Sequence, residues 1–127
     1  LKLASIDVGL KRIGVAINLT SDIVTPQNAI LRKNRNQAAN EVKAFLKEWE
    51  IDKLIVGFPS ASEEMQRRIN HFVGLLDIDI PIEYCEENMS SIEAEDMMKG
   101  QIKYKRDGRV DSLAAKIILE RYLSKKS

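Results

Sequence analysis

Two short, mostly apolar stretches open the chain, Leu3–Val8 and Ile13–Leu19, separated by the polar Gly9-Leu10-Lys11-Arg12. Stretches of that length, broken by a turn whose glycine can take positive φ, predict a β-hairpin. A third extended segment is expected near Ile23–Leu31, with Pro26 at an edge or a bulge because it has no amide proton for a ladder. The period then changes. From Gln37 to Glu50, apolar Ala38, Val42, Phe45, Leu46 and Trp49 recur every three or four positions, which places them on one helical face. Lys53–Gly57 carries the continuous run Leu54-Ile55-Val56, the mark of a central parallel strand covered on both sides.

Beyond it, Ser60 and Glu63 have the spacing of a capping box, and Met65, Ile69, Phe72, Val73 and Leu76 trace a second helix. Pro81–Cys85 predicts another short strand, so that Glu86 and Glu87 fall just past its end. Ser90 and Glu93 repeat the capping spacing ahead of a helix through about Lys99. Gly100 to Gly108 reads as a basic loop, and Asp111 to Leu123 as a final helix through Leu113, Ala114, Ile117, Ile118 and Tyr122. An antiparallel start followed by helical crossovers predicts an α/β fold: a mixed five-stranded sheet, parallel in its later strands and flanked by helices. That is the layout of a ribonuclease-H-like domain, and 127 residues without a linker or repeat predict a single domain over 1–127.

Composition narrows the chemistry. Apolar residues make up 44% and charged residues 31%, close to the average of a folded, water-soluble domain. No apolar run approaches the length of a membrane span and no leader pattern opens the chain, so a cytoplasmic protein without a membrane partner is expected. With Cys85 the single cysteine and His71 the single histidine, an internal disulfide and a Cys/His zinc site are excluded. Catalysis, if present, falls to carboxylates and a hard metal. The net charge of +1 announces no nucleic-acid partner. Its distribution is uneven, however. Cations gather at Lys11–Arg12, at Arg32, Lys33 and Arg35, and from Lys99 to Arg109, and acids gather between Glu83 and Asp96, which predicts separate basic and acidic surfaces.

Three acidic positions stand where chemistry is expected. Asp7 lies near the end of the first strand, Glu86 or Glu87 at the end of a later one, and Asp111 at the start of the last helix. Each has an ordinary structural explanation: a turn-stabilising aspartate, solvated glutamates, and a charge at a helix N-terminus. Together they form an oxygen-rich set of the kind that holds magnesium or manganese, and paired ions of that type activate water for phosphodiester cleavage.

In four blocks the chain resembles the YqgF/RuvX-type nucleases, described as Holliday-junction resolvases and implicated in maturation of the small-subunit ribosomal RNA precursor. The blocks are Asp7–Ala16, Ile55-Val56-Gly57-Phe58-Pro59, Glu86-Glu87-Asn88-Met89-Ser90-Ser91 and Val110-Asp111-Ser112-Leu113-Ala114-Ala115. The resemblance implies a ribonuclease-H-like fold and hydrolysis dependent on Mg2+ or Mn2+. It also implies Asp7, Glu87 and Asp111 as catalytic and metal-binding residues, with Glu86 a neighbouring candidate ligand. Two departures from the family pattern stand out. Asn88 occupies the place of an arginine in the usual Asp-Glu-Arg-Leu-Thr-Thr stretch, and the segment after Pro59 is shortened.

Lys11 and Arg12 beside Asp7, and Lys103, Lys105, Arg106 and Arg109 ahead of Asp111, are the expected phosphate-binding cations. Tyr104 is a weaker candidate for stacking on a base. The expected partner is structured RNA ahead of junction DNA, bound by a monomer or a homodimer. Junction cleavage is the first alternative; it requires two coordinated active sites, so a dimer would favour it and a monomer would favour RNA trimming. A noncatalytic RNA-binding assembly factor is another. A nucleotide-binding module is a further one, because the Asp-x-Gly-x4-Gly pattern also resembles the first phosphate loop of the actin, sugar-kinase and heat-shock ATPase superfamily.

Overall fold

The structure, a computed structural model, describes residues 1–20, 23–60, 62–86 and 112–126. The described elements are strands β1 (Leu3–Val8), β2 (Arg12–Asn18) and β3 (Thr25–Leu31), helix α1 (Arg35–Glu48), β4 (Lys53–Phe58), α2 (Glu63–Leu76), β5 (Ile82–Glu86) and a last helix, α3 (Leu113–Lys126). The five strands form one sheet in the order β3-β2-β1-β4-β5. β1–β2 and β2–β3 are antiparallel, and β4 runs parallel to both β1 and β5. This is the mixed five-stranded sheet expected from the sequence. β3 is an edge strand, and its pairing with β2 slips between Ile13 and Val15, so Pro26 sits where a missing amide proton costs least.

Strand alternation divides the core into two layers. Ala4, Ile6 and Val8 of β1, with Leu54 and Val56 of β4, pack with Val42, Leu46, Ile69, Phe72 and Leu76 of α1 and α2. Leu3 and Ile55 point to the opposite face, where Ala115, Ile118, Leu119 and Tyr122 of α3 cover them. Fully burying a side chain such as Phe72 or Ile118 contributes about 1.5–3 kcal/mol, and both are 0% exposed. No helix among the described residues is long and apolar enough to cross a membrane.

The helix boundaries correct the sequence reading in two places. α1 starts at Arg35 rather than Gln37, because Asn34 and Gln37 form a reciprocal capping box: the Gln37 amide donates to Asn34 Oδ1 at 2.8 Å and the Asn34 amide to Gln37 Oε1 at 3.3 Å. α2 is capped by Ser62, whose hydroxyl accepts from the Met65 amide at 3.3 Å, and not by Ser60. Glu63 and Glu64 then occupy the first turn, where negative charge suits the helix dipole. The expected helix from Ser90 to Lys99 and the basic loop from Gly100 to Gly108 lie outside the described residues.

Candidate functional site

Asp7 is the second-last residue of β1, half-buried, on the sheet face that α3 covers. Its antiparallel partner on β2 is Gly14. On the other side, Ile6 pairs with Val56, which places Asp7 level with Gly57, and Gly57 is paired in turn with Cys85 of β5. One row across the sheet therefore reads Gly14, Asp7, Gly57, Cys85. The carboxylate is flanked laterally by two residues without side chains.

The turn that follows is tight. The Gly9 amide donates to the Arg12 carbonyl at 3.0 Å. A Cβ on Gly9 would lie 2.5 Å from that same oxygen, so the position demands glycine for lack of space. The expected positive φ is absent: among the described residues no glycine adopts it, and Glu50 and Asp77 do. Lys11 and Arg12 are both exposed on this turn. The Arg32 guanidinium donates to the Gly9 carbonyl at 2.9 Å, and the Arg32 amide donates to the Lys11 carbonyl at 2.8 Å, so the end of β3 braces the turn.

α3 is fastened to the same region by two buried serines. Ser5 Oγ donates to the Ala115 carbonyl at 2.6 Å. The Val15 amide, at the point where the β2–β3 register slips, donates to Ser112 Oγ at 3.0 Å. Both serines are 0% exposed. Val15 is next to Gly14, so the first turn of α3 rests one residue from the partner of Asp7. The sequence reading singled out neither serine for a role of its own. A hydroxyl inside an otherwise apolar strand, as in Leu3-Ala4-Ser5-Ile6, is the signal that could have drawn attention to Ser5.

Glu86 is the last residue of β5 rather than the first beyond it. Its row is Val8, Phe58, Glu86, one step past the row of Asp7. Two strand spacings put the two backbones about 10 Å apart. Glu86 Oε1 accepts from Ser60 Oγ at 2.7 Å, and the residue borders a cavity of about 370 Å3 shared with Arg121, Ser124 and Lys125 of α3. Asp7 and Glu86 thus stand at one end of the sheet in separate surroundings. Among the described residues no three of His, Cys, Asp and Glu cluster as a metal site. Glu87, Asp111, Lys103, Lys105, Arg106 and Arg109, like Tyr104, lie outside the described residues.

Cys85 is buried on the same face as Asp7, and its thiol donates to the Ile118 carbonyl at 3.7 Å. Burial pushes the thiol pKa up; Lys125 and Arg121 pull the other way, and Glu83 and Glu86 add to the rise. Glu83 pairs with Lys53 at 3.5 Å, and Lys53 also donates to the Tyr122 hydroxyl at 3.1 Å, which together with Glu83 raises the ammonium pKa against its partial desolvation. His71 is exposed on α2 beside Arg35, with 3.0 Å between Arg35 Nη1 and His71 Nε2.

Comparison with known proteins follows the same outline. Residues 1–125 match the family described as RuvX: Holliday junction resolvase. A protein from Sulfurovum sp. (strain NBC37-1) named "Putative pre-16S rRNA nuclease" is 65% identical over 98% of this chain and 99% of its own. A protein of the same name from Campylobacter lari is 46% identical over 94% of this chain and 95% of its own. Among solved structures, Thermus thermophilus RuvC in complex with a Holliday junction substrate superposes with a TM-score of 0.65 at 13% identity, covering 100% of this chain and 97% of that one. The fowlpox virus Holliday junction resolvase gives 0.60 at 16% identity over the full length of both. These structural likenesses establish a shared ribonuclease-H-like fold.

Proposed function

Because the chain belongs to the RuvX family, we propose that it is a nuclease hydrolysing phosphodiester bonds in the cytoplasmic precursor of small-subunit ribosomal RNA. The observation that carries this reading is Asp7: a half-buried carboxylate at the end of a central strand, between Gly14 and Gly57, with the start of α3 bound to Val15, the residue next to Gly14. That arrangement offers an oxygen ligand flanked by two residues without side chains.

Asp7, Glu87 and Asp111 are proposed as the acidic set. Asp111 directly precedes Ser112 in the sequence, and the Ser112 hydroxyl accepts from the Val15 amide, next to Gly14, the strand partner of Asp7. Glu86 is committed to Ser60. That engagement favours Glu87 over Glu86 as the ligand.

Hard carboxylate oxygens without thiolate or imidazole suit magnesium or manganese, and such an ion supplies activated water and charge neutralisation at the scissile phosphate. The protein's own residues do the positioning. Asp7 is fixed by strand pairing on both sides, Gly14 and Gly57 admit the substrate backbone, and Lys11 and Arg12 hold neighbouring phosphates against the repulsion of the acids. Lys103, Lys105, Arg106 and Arg109 are proposed to act likewise ahead of Asp111.

Cleavage of four-way DNA is the second reading, favoured by the description of the family. Purified protein incubated with ribosomal RNA precursor, unstructured RNA and four-way DNA, each with magnesium, manganese or chelator, separates them. Metal-dependent cutting of the precursor alone supports the first reading. Paired symmetric cuts in the junction by a dimer, with the precursor left intact, overturn it.

A further inference from the structure

A second group of cations lies at the same end of the sheet as Asp7, in the layer of α1 and α2. Arg32 at the end of β3, Arg35 in the first turn of α1, and Arg67, Arg68 and His71 of α2 surround a shallow cavity of about 270 Å3, with Glu64 the single acid among the described residues on its wall. Glu64 is paired with Arg68 at 2.7 Å. Arg35 meets His71, and Arg32 stacks 5.6 Å from the centre of the Phe72 ring. Four guanidinium groups therefore share one carboxylate. The crowding is real for Arg32, whose pKa is lowered by burial and then by Arg35 and Arg68.

Like charges gathered from three elements repel one another in the free protein, and guanidinium forks match phosphate oxygens two at a time. The group is also continuous with the turn beside Asp7. Arg32 bonds the backbone carbonyls of Gly9 and Lys11 through its side chain and its amide, so the cluster and the turn that carries Lys11 and Arg12 adjoin as one band of cationic residues. A band fits anions repeated along a polymer better than one small ion.

We propose that this band binds the sugar-phosphate backbone of the same nucleic acid, at phosphates beyond the one being cut. The inference rests on the nuclease reading above. It gives the substrate two points of attachment, one in each layer of the fold, and so a preference for structured over short single-stranded RNA.

The test is fluorescence anisotropy with a labelled RNA hairpin in chelator, across a salt series, with wild type, the pair Arg35→Ala/Arg67→Ala, and the pair Arg35→Lys/Arg67→Lys. Both positions are exposed, and circular dichroism checks the fold. The alanine pair should weaken binding about tenfold at low salt and reduce the slope of log affinity against log salt by about 1.5–2, as expected for two lost phosphate contacts. The lysine pair should keep most of the slope. Unchanged affinity and slope in the alanine pair overturn the proposal, and so does a lysine pair as impaired as the alanine pair. Loss of inorganic phosphate binding with RNA binding unmoved also overturns it, since the cluster then serves a free anion. Because no metal is present, the result is independent of turnover. A protein that shows this slope difference yet cuts nothing contradicts the nuclease reading alone.

Discussion

The Val15 amide and the Ser112 hydroxyl, 97 residues apart in sequence, meet at 3.0 Å inside the protein and join the last helix to the second strand beside the partner of Asp7. The bond falls where the β2–β3 ladder slips, so an amide at an irregular point of the ladder is satisfied by a side chain from another layer. With Ser5 and Ala115 it fixes the height of α3 over the sheet.

Ser112→Ala leaves that buried amide without its acceptor. A buried donor so exposed costs about 1–3 kcal/mol. Denaturant unfolding should show a loss in this range with an unchanged m-value. Stability equal to wild type would mean that the bond does not hold α3 in place.

Gly9→Ala tests the turn. The added methyl meets the Arg12 carbonyl at 2.5 Å, a backbone atom that can retreat only by opening the hairpin. Overpacking of this kind costs about 1–3 kcal/mol, and it should appear as a lowered Tm together with reduced cleavage, since Asp7 stands two residues away. An alanine variant as stable and as active as wild type would refute the steric argument.

Cys85 predicts a particular alkaline behaviour. Its pKa is raised on folding, so the folded protein holds this proton more tightly than the unfolded chain does. The contribution to stability is full below the ordinary thiol value of 9.0 and is lost as pH climbs through the folded value. Tyr84 and Lys53 are shifted in the same direction, by burial for the phenol and chiefly by the Tyr122 hydrogen bond for the ammonium, and all three contribute to alkaline unfolding. Subtraction isolates the thiol. The stability difference between wild type and Cys85→Ala should be constant through neutral pH and shrink above about pH 9. Parallel curves up to alkaline unfolding would contradict the assigned shift.

What the sequence made legible follows from the range of the forces involved. Leu54-Ile55-Val56 and the spacing of Val42, Leu46, Ile69 and Phe72 report burial directly, and the strands, helices and mixed sheet followed from them. Asp7 at a strand end was equally readable, because a hairpin is local. The serine bonds were not: Ser5 to Ala115 spans 110 residues, and nothing near Ser5 names its partner. Gly9 was identified for the wrong physical reason, conformational freedom instead of space, since the obstructing carbonyl appears only once the turn has closed. Ser60 has the cap spacing to Glu63, but it is Ser62 that reaches the Met65 amide, and the Ser60 hydroxyl donates to Glu86 instead.

The central claim is that Asp7 holds the ion that drives hydrolysis. Asp7→Asn removes the charge at nearly constant size, and its folding is checked by an unchanged circular dichroism spectrum. Loss of residues that merely orient metal ligands typically costs 10–100-fold, so loss of a ligand itself should lower the rate by about a hundredfold or more. The measurement is the initial rate of ribosomal RNA precursor cleavage, with magnesium or manganese, by wild type and by this variant. The account predicts that the variant's rate falls to the level wild type shows in chelator, while RNA binding persists. Equal rates for the two proteins would contradict it.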